Sequence, residues 1–272
     1  MAENALNEAA VVRSIDPDRP HWGILAGIAV WLASVLAVVL TPSLFLIPYV
    51  TASGIKFTSS QQMMDFARTD PSAVIVQFAA IIPAHLLTIL VAWVVVTRYR
   101  RFPFFETLGW TSGGVRWWHY GLLFVGFYAI AAVIGYYIPE QDNEFLRMLR
   151  TSRTAVYIVA IMATFSAPFI EEVVYRGVLY APFRASFGTP VAVLLVTLIF
   201  TSVHVPQYLG SPATIFLLLL LSLGLSIMRA FSKSIFPCFV FHTLINASQS
   251  ILLILEPYLK PPAEAAAVFI RI

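Results

Sequence analysis

The chain has 272 residues, 59% hydrophobic and only 11% charged, with a mean hydropathy of +0.82 and a formal charge of +3. A soluble domain averages about 25% charged residues, so this chain cannot clothe a globule in polar surface and reads as an all-α, polytopic membrane protein. Its Lys and Arg are scattered, which excludes nucleic acid as a partner, and its single cysteine, Cys238, excludes an internal disulfide and a cysteine-rich metal knuckle.

The first 21 residues form a polar N-terminal segment, with Glu3, Glu8, Asp16 and Asp18 beside Arg13 and Arg19. The apolar run that follows is too long for the core of a signal peptide and is read as a retained first span. At about 20 apolar residues per span, the chain supports about seven spans, over residues 23–50, 73–96, 118–138, 154–184, 189–204, 212–228 and 235–255. Thr41-Pro42 is expected to bend the first, and Gly23-x-x-x-Gly27 offers a helix-packing contact. Met63, Met64 and Phe66 suggest a short interfacial helix in the loop 51–72. Trp110, Trp117 and Trp118 suit the headgroup level, and a charged loop, 139–153, precedes the fourth span. Residues 22–256 therefore read as one transmembrane domain, with 257–272, including Pro261 and Pro262, as a tail. The Lys and Arg of the short loops mildly favour an inside N-terminus.

Within the fourth span stand two adjacent carboxylates, Glu171 and Glu172, with Arg176 one helical turn after the second. Charges at bilayer depth are costly and are kept where they are used or paired. The fifth span ends in Phe200-Thr-Ser-Val-His204, and the seventh holds His242-Thr-Leu-Ile-Asn246. At about 1.5 Å per residue, Glu171, His204, His242 and Asn246 lie about 14 to 24 Å from the span ends that share one side, so all can occupy one layer. Glu172 and Arg176 share a helix stripe, as do Phe200 with His204 and His242 with Asn246. Glu171 is turned about 100° from Glu172. That division leaves one glutamate held by Arg176 and the other available for chemistry. His85 and Gln77 are read as interhelical hydrogen-bonding residues, His21 and His119 as interface residues, and Cys238 as a small buried side chain.

The three motifs, E-E-x-x-x-R, F-x-x-x-H and H-x-x-x-N, in this order on separate spans, resemble those of the CAAX-protease and bacteriocin-processing (CPBP, or Abi) family of intramembrane proteases. The resemblance covers roughly residues 154–250, with no departure at a motif position. It implies an endopeptidase whose catalytic residues lie inside a helical bundle in the plasma or inner membrane of a prokaryote, acting on a membrane-associated peptide or protein. Eukaryotic relatives remove the last three residues of prenylated CAAX proteins. Bacterial relatives are linked to peptide maturation, bacteriocin self-immunity and sorting.

Read chemically, Glu171 is the candidate general base, with His204 orienting the same water and His242 and Asn246 donating to the oxyanion. Arg176 and Glu172 form a supporting ion pair, with Phe200 as a wall of the site. Glu171, His204 and His242 are also one carboxylate and two imidazoles, a ligand set for a divalent metal such as zinc with an open position for water. The spacing leaves both versions open. So do two other functions for the same residues: a non-catalytic immunity or binding protein, and a proton-coupled transporter with a Glu–His relay.

Overall fold

A computed structural model describes residues 15–138 and 143–259; Glu3, Glu8, Arg13, Pro139 and the tail prolines Pro261 and Pro262 lie outside the described residues. Those described form helices and connecting turns, with no strand among them. Helix α1, Ile24–Ala52, carries no charged side chain and runs through both Pro42 and Pro48, with the Thr41 hydroxyl donating to the Ala37 carbonyl. The expected interfacial helix is α2, Ser60–Thr69, capped by the Ser59 hydroxyl. The second span is split into α3, Pro71–Ala79, and α4, Ile81–Thr97. Asp70 caps α3, whose first residue is proline, a combination suited to a helix start. Pro83 cannot donate to the Ala79 carbonyl, which places the register break at Ala80.

Three left-handed residues, Arg98 to Arg100, end α4 and lead into the short α5, Phe104–Leu108. Helix α6, Trp117–Tyr137, is the third span, and the charged loop after it contains α7, Glu144–Arg150, started by an Asn143 cap. The fourth span is a 35-residue helix, α8, Arg153–Phe187. Then come α9, Thr189–His204, α10, Pro212–Ser232, and α11, Phe236–Leu259. Among the described residues, six helices are long and apolar enough to cross a bilayer, and α9, at 16 residues, is a shorter apolar one. This is a multi-pass membrane bundle consistent with about seven spans.

Loop contacts fix which ends lie together. At one end, the Ser234 hydroxyl donates to the Gly109 carbonyl, and Ile235 N–H donates to it as well. Gly109 has φ +72°, and a side chain there would meet the Lys233 carbonyl at 2.5 Å, so only glycine fits. At the other end, Arg68 pairs with Glu144 at 2.6 Å and Arg150 with Glu256 at 2.9 Å. The main core wraps α8: Val173, Val174, Val178 and Leu179 pack with Val30 of α1, Val96 of α4 and Val196 of α9. Gly27 lets α1 approach closely, since a side chain there would stand 3.1 Å from the Val178 carbonyl; Gly23 has open space.

One placement differs from expectation. Residues 15–21, assigned to the polar N-terminal segment, lie as a strap across the Gly109 end of the bundle, with Asp18 and Trp22 buried. Trp110 packs its ring against Phe105, Phe169, Phe236 and Phe239. Trp117 is exposed, and Trp118 stacks on His119.

Candidate active site

Helix α8 is not a regular α-helix. Two stretches, Met162–Ser166 and Glu172–Leu179, have wide π turns with five-residue hydrogen bonding. Such turns often mark functional sites because they release backbone carbonyls from the helical ladder. In the first stretch Ala167 N–H bonds to the Met162 carbonyl. The next bond in that register would run from residue 168 to Ala163, but Pro168 has no N–H. The Asn246 amide supplies the missing donor, at 2.9 Å from the Ala163 carbonyl. In the second stretch Tyr180 N–H bonds to the Tyr175 carbonyl, and a return to four-residue spacing then passes over the Arg176 carbonyl. Arg229 Nε donates to that carbonyl at 3.1 Å. Pro182 likewise leaves the Val178 carbonyl without its α-helical donor, and the Trp22 indole N–H donates there at 3.0 Å.

The second wide turn carries the charged residues into the core. Glu172 and Arg176 are both fully buried, with Arg176 Nη1 donating to Glu172 Oε1 at 3.0 Å. Arg176 Nη2 also donates to the Ser222 hydroxyl at 2.8 Å and to the Ser222 carbonyl at 3.0 Å. Its guanidinium carbon lies 4.8 Å from the centre of the Phe200 ring. The charge is thus met by a carboxylate, two α10 oxygens and an aromatic face, which lowers the cost of burying it.

His242 stands between the two glutamates. Its Nδ1 is 2.8 Å from Glu172 Oε1, and its Nε2 is 3.7 Å from Glu171 Oε2. A carboxylate only accepts, so Nδ1 carries a hydrogen and donates. The 3.7 Å gap is too long for a direct hydrogen bond and matches a close charge pair or a bridging water. Glu171, turned away from Glu172 along the helix, keeps a quarter of its side chain exposed, while Glu172 has none exposed. The two carboxylates meet one ring because its nitrogens point in different directions.

The remaining expected residues join through Phe200. Its ring centre lies 4.6 Å from that of His204, 5.0 Å from Tyr175 and 6.1 Å from His242. His204 closes the last turn of α9, with Nδ1 donating to the Phe200 carbonyl at 2.7 Å. In a neutral ring this leaves Nε2 as an acceptor. His85, on α4, makes an interhelical bond to the Ser166 hydroxyl at 3.1 Å. The pair lines a pocket of about 220 Å³ with Ile82, Leu86, Ile89, Phe169 and Ile170.

The donor set for a metal does not assemble. Among the described residues, no three His, Cys, Asp or Glu side chains are grouped so as to hold a metal ion. His204 Nδ1 bonds to the Phe200 carbonyl and His242 Nδ1 to Glu172, so on each ring Nε2 is the nitrogen turned toward the site. Sequence reasoning missed Asp18, Trp22, Ser222 and Arg229. The readable signal was Arg229 itself: an arginine near the end of an apolar helix, here 1% exposed, requires a partner.

The family model described as type II CAAX prenyl endopeptidase Rce1-like matches residues 153–248, covering α8, α9, α10 and half of α11. No curated protein and no solved structure matches the chain. The segment that carries all three motifs, and with them the Glu171–His242–Glu172 contact, is an Rce1-like domain of the CPBP family, extending over residues 153–248.

Proposed function

We propose that this protein is an intramembrane endopeptidase that hydrolyses a peptide bond in a membrane-associated peptide or protein, in the plasma or inner membrane of a prokaryote. One observation carries the reading: a partly exposed Glu171 faces an imidazole whose opposite nitrogen is held by the buried Glu172–Arg176 pair. That is the geometry of a base with a fixed proton partner. Glu171 takes a proton from water as the oxygen attacks the scissile carbonyl. His204 Nε2, left as an acceptor by the Phe200 bond, orients the same water. His242, carrying a second proton taken up from solvent before the substrate binds and kept throughout the cycle, holds Nδ1–H on Glu172 and offers Nε2–H to the oxyanion. Asn246 has one amide hydrogen on the Ala163 carbonyl and a second for the oxyanion. When the tetrahedral intermediate collapses, the proton held by Glu171 passes to the leaving amine. The roles are carried by side chains alone, and no step runs through a metal.

The test compares membrane peptides by mass spectrometry in cells holding the wild-type protein or Glu171→Gln. Cleaved products should vanish in the variant, a loss of about 10²–10⁴ in rate, while the purified variant melts as wild type does in detergent. Turnover retained by Glu171→Gln would overturn the assignment. A chelator should leave wild-type cleavage intact.

A further inference from the structure

The N-terminal strap reaches the site through one continuous line of contacts. Arg229 of α10 is buried, and its guanidinium holds two partners in the strap: Nη1 donates to Asp18 Oδ1 at 2.9 Å, and Nη2 to the Pro17 carbonyl at 3.0 Å. Its third engaged nitrogen, Nε, donates to the Arg176 carbonyl at 3.1 Å. Arg176 then pairs with Glu172, and Glu172 with His242. Ser222, which binds the Arg176 guanidinium, lies seven residues before Arg229, two turns away on the same face of α10. One face of α10 therefore grips Arg176 at both its backbone and its head. The backbone grip exists only because the wide turn of α8 passes over that carbonyl. Arg229 in turn can be buried there only because Asp18, 2% exposed, neutralises it.

We propose that Asp18 and Arg229 are positioning residues of the candidate site: the strap, through Asp18, locks Arg229 onto the Arg176 carbonyl and so sets where Glu172 holds His242. This rests on the endopeptidase reading for its kinetic consequences but not for its geometry. Arg229→Lys keeps a charge opposite Asp18 and lacks the three-way fork that reaches Arg176. The double variant Asp18→Ala/Arg229→Met removes both charges and with them the burial problem, so the bundle folds without an orphan ion.

The experiment uses the full chain in detergent, with wild type and Glu171→Gln as references. It measures melting temperature, kcat and KM for a cleaved membrane peptide, and the rate at which an apolar carbodiimide labels Glu171 and Glu172. The expected result for Arg229→Lys and for the double variant is a kcat lowered about 10–100-fold with KM unchanged, and a changed labelling rate at the glutamates. Wild-type kcat, KM and labelling in the double variant, with only the melting temperature altered, would show that the strap merely stabilises the bundle and would overturn the proposal. If the wild-type protein cleaves nothing, the endopeptidase reading fails and the labelling decides alone: a changed rate supports positioning, an unchanged rate overturns it.

Discussion

Helices α6 and α8 have the same mean hydropathy, 1.6 over their most apolar windows, yet 6% of the α6 window is buried inside the protein and 33% of the α8 window. In α6 only Phe127 is buried, and residues such as Leu122, Val125 and Val133 face outward. In α8 every residue from Glu172 to Phe183 is buried, charges included. Hydropathy thus identifies a span without revealing its work. What separates the two helices is the irregular backbone of α8 and the side chains from α1, α9, α10, α11 and the strap that occupy it. A lipid-facing helix can satisfy its backbone alone, whereas α8 gives up part of its ladder to partners remote in sequence.

The contrast should appear directly in stability. Glu172→Ala leaves the Arg176 charge buried without its carboxylate and should cost about 3–5 kcal/mol, read as a large fall in melting temperature or yield in detergent. Unchanged stability with lost cleavage would instead make Glu172 a catalytic residue. Asn246→Ala leaves the Ala163 carbonyl without the donor that Pro168 cannot supply. It should cost about 1 kcal/mol, between the average of about 0.6 kcal/mol for hydrogen bonds within membranes and the cost of about 1–3 kcal/mol for an orphaned buried group; chemical denaturation measures it.

The strap should respond to pH through His21. Burial holds this imidazole below its ordinary 6.5, with Arg98 adding to the effect and the hydrogen bond to the Val95 carbonyl opposing it. Its ring also stacks on Phe102. Because the folded value is lowered, its contribution to docking is complete above 6.5 and is lost as pH falls from there through the folded value. Hydrogen exchange at residues 15–22 should therefore be slower at about pH 7.5 than at about pH 5.5 once intrinsic rates are divided out. Equal protection would remove His21 from the account. The smallest effect belongs to α6: Leu122→Ala, on the outward face, should change stability by no more than about 0.5 kcal/mol. A larger loss would mean that α6 has a partner in the membrane.

The positions of the spans were readable because about 20 consecutive apolar residues have few other uses. Even the break in the second span had its marker in Pro83. The motif residues were readable as well, since Glu171, Glu172, Arg176, His204 and His242 are costly in apolar surroundings. The Glu172–Arg176 pair was readable too, from its four-residue spacing, but the place of His242 between the two glutamates was not. Regular helix geometry turns Glu171 and Glu172 apart, and only the folded chain shows one imidazole reaching both. Asn246 shows the same limit: its spacing from His242 suggested a partner in the reaction, while the bond its amide makes is to an α8 carbonyl.

From residue order alone came an all-helical multi-pass chain, the order of its spans, and the three helices that bear its unusual polar groups. These follow from local properties: apolar run length, prolines, and the cost of charge in lipid. Tertiary packing settled which groups pair, where α8 widens, and that residues 15–22 close one end of the bundle. Those outcomes depend on partners far apart in the chain, as in Asp18 with Arg229, Trp22 with Val178 and Glu172 with His242. A buried charge or a released carbonyl declares that it needs a partner, but only the packed bundle decides which side chain arrives.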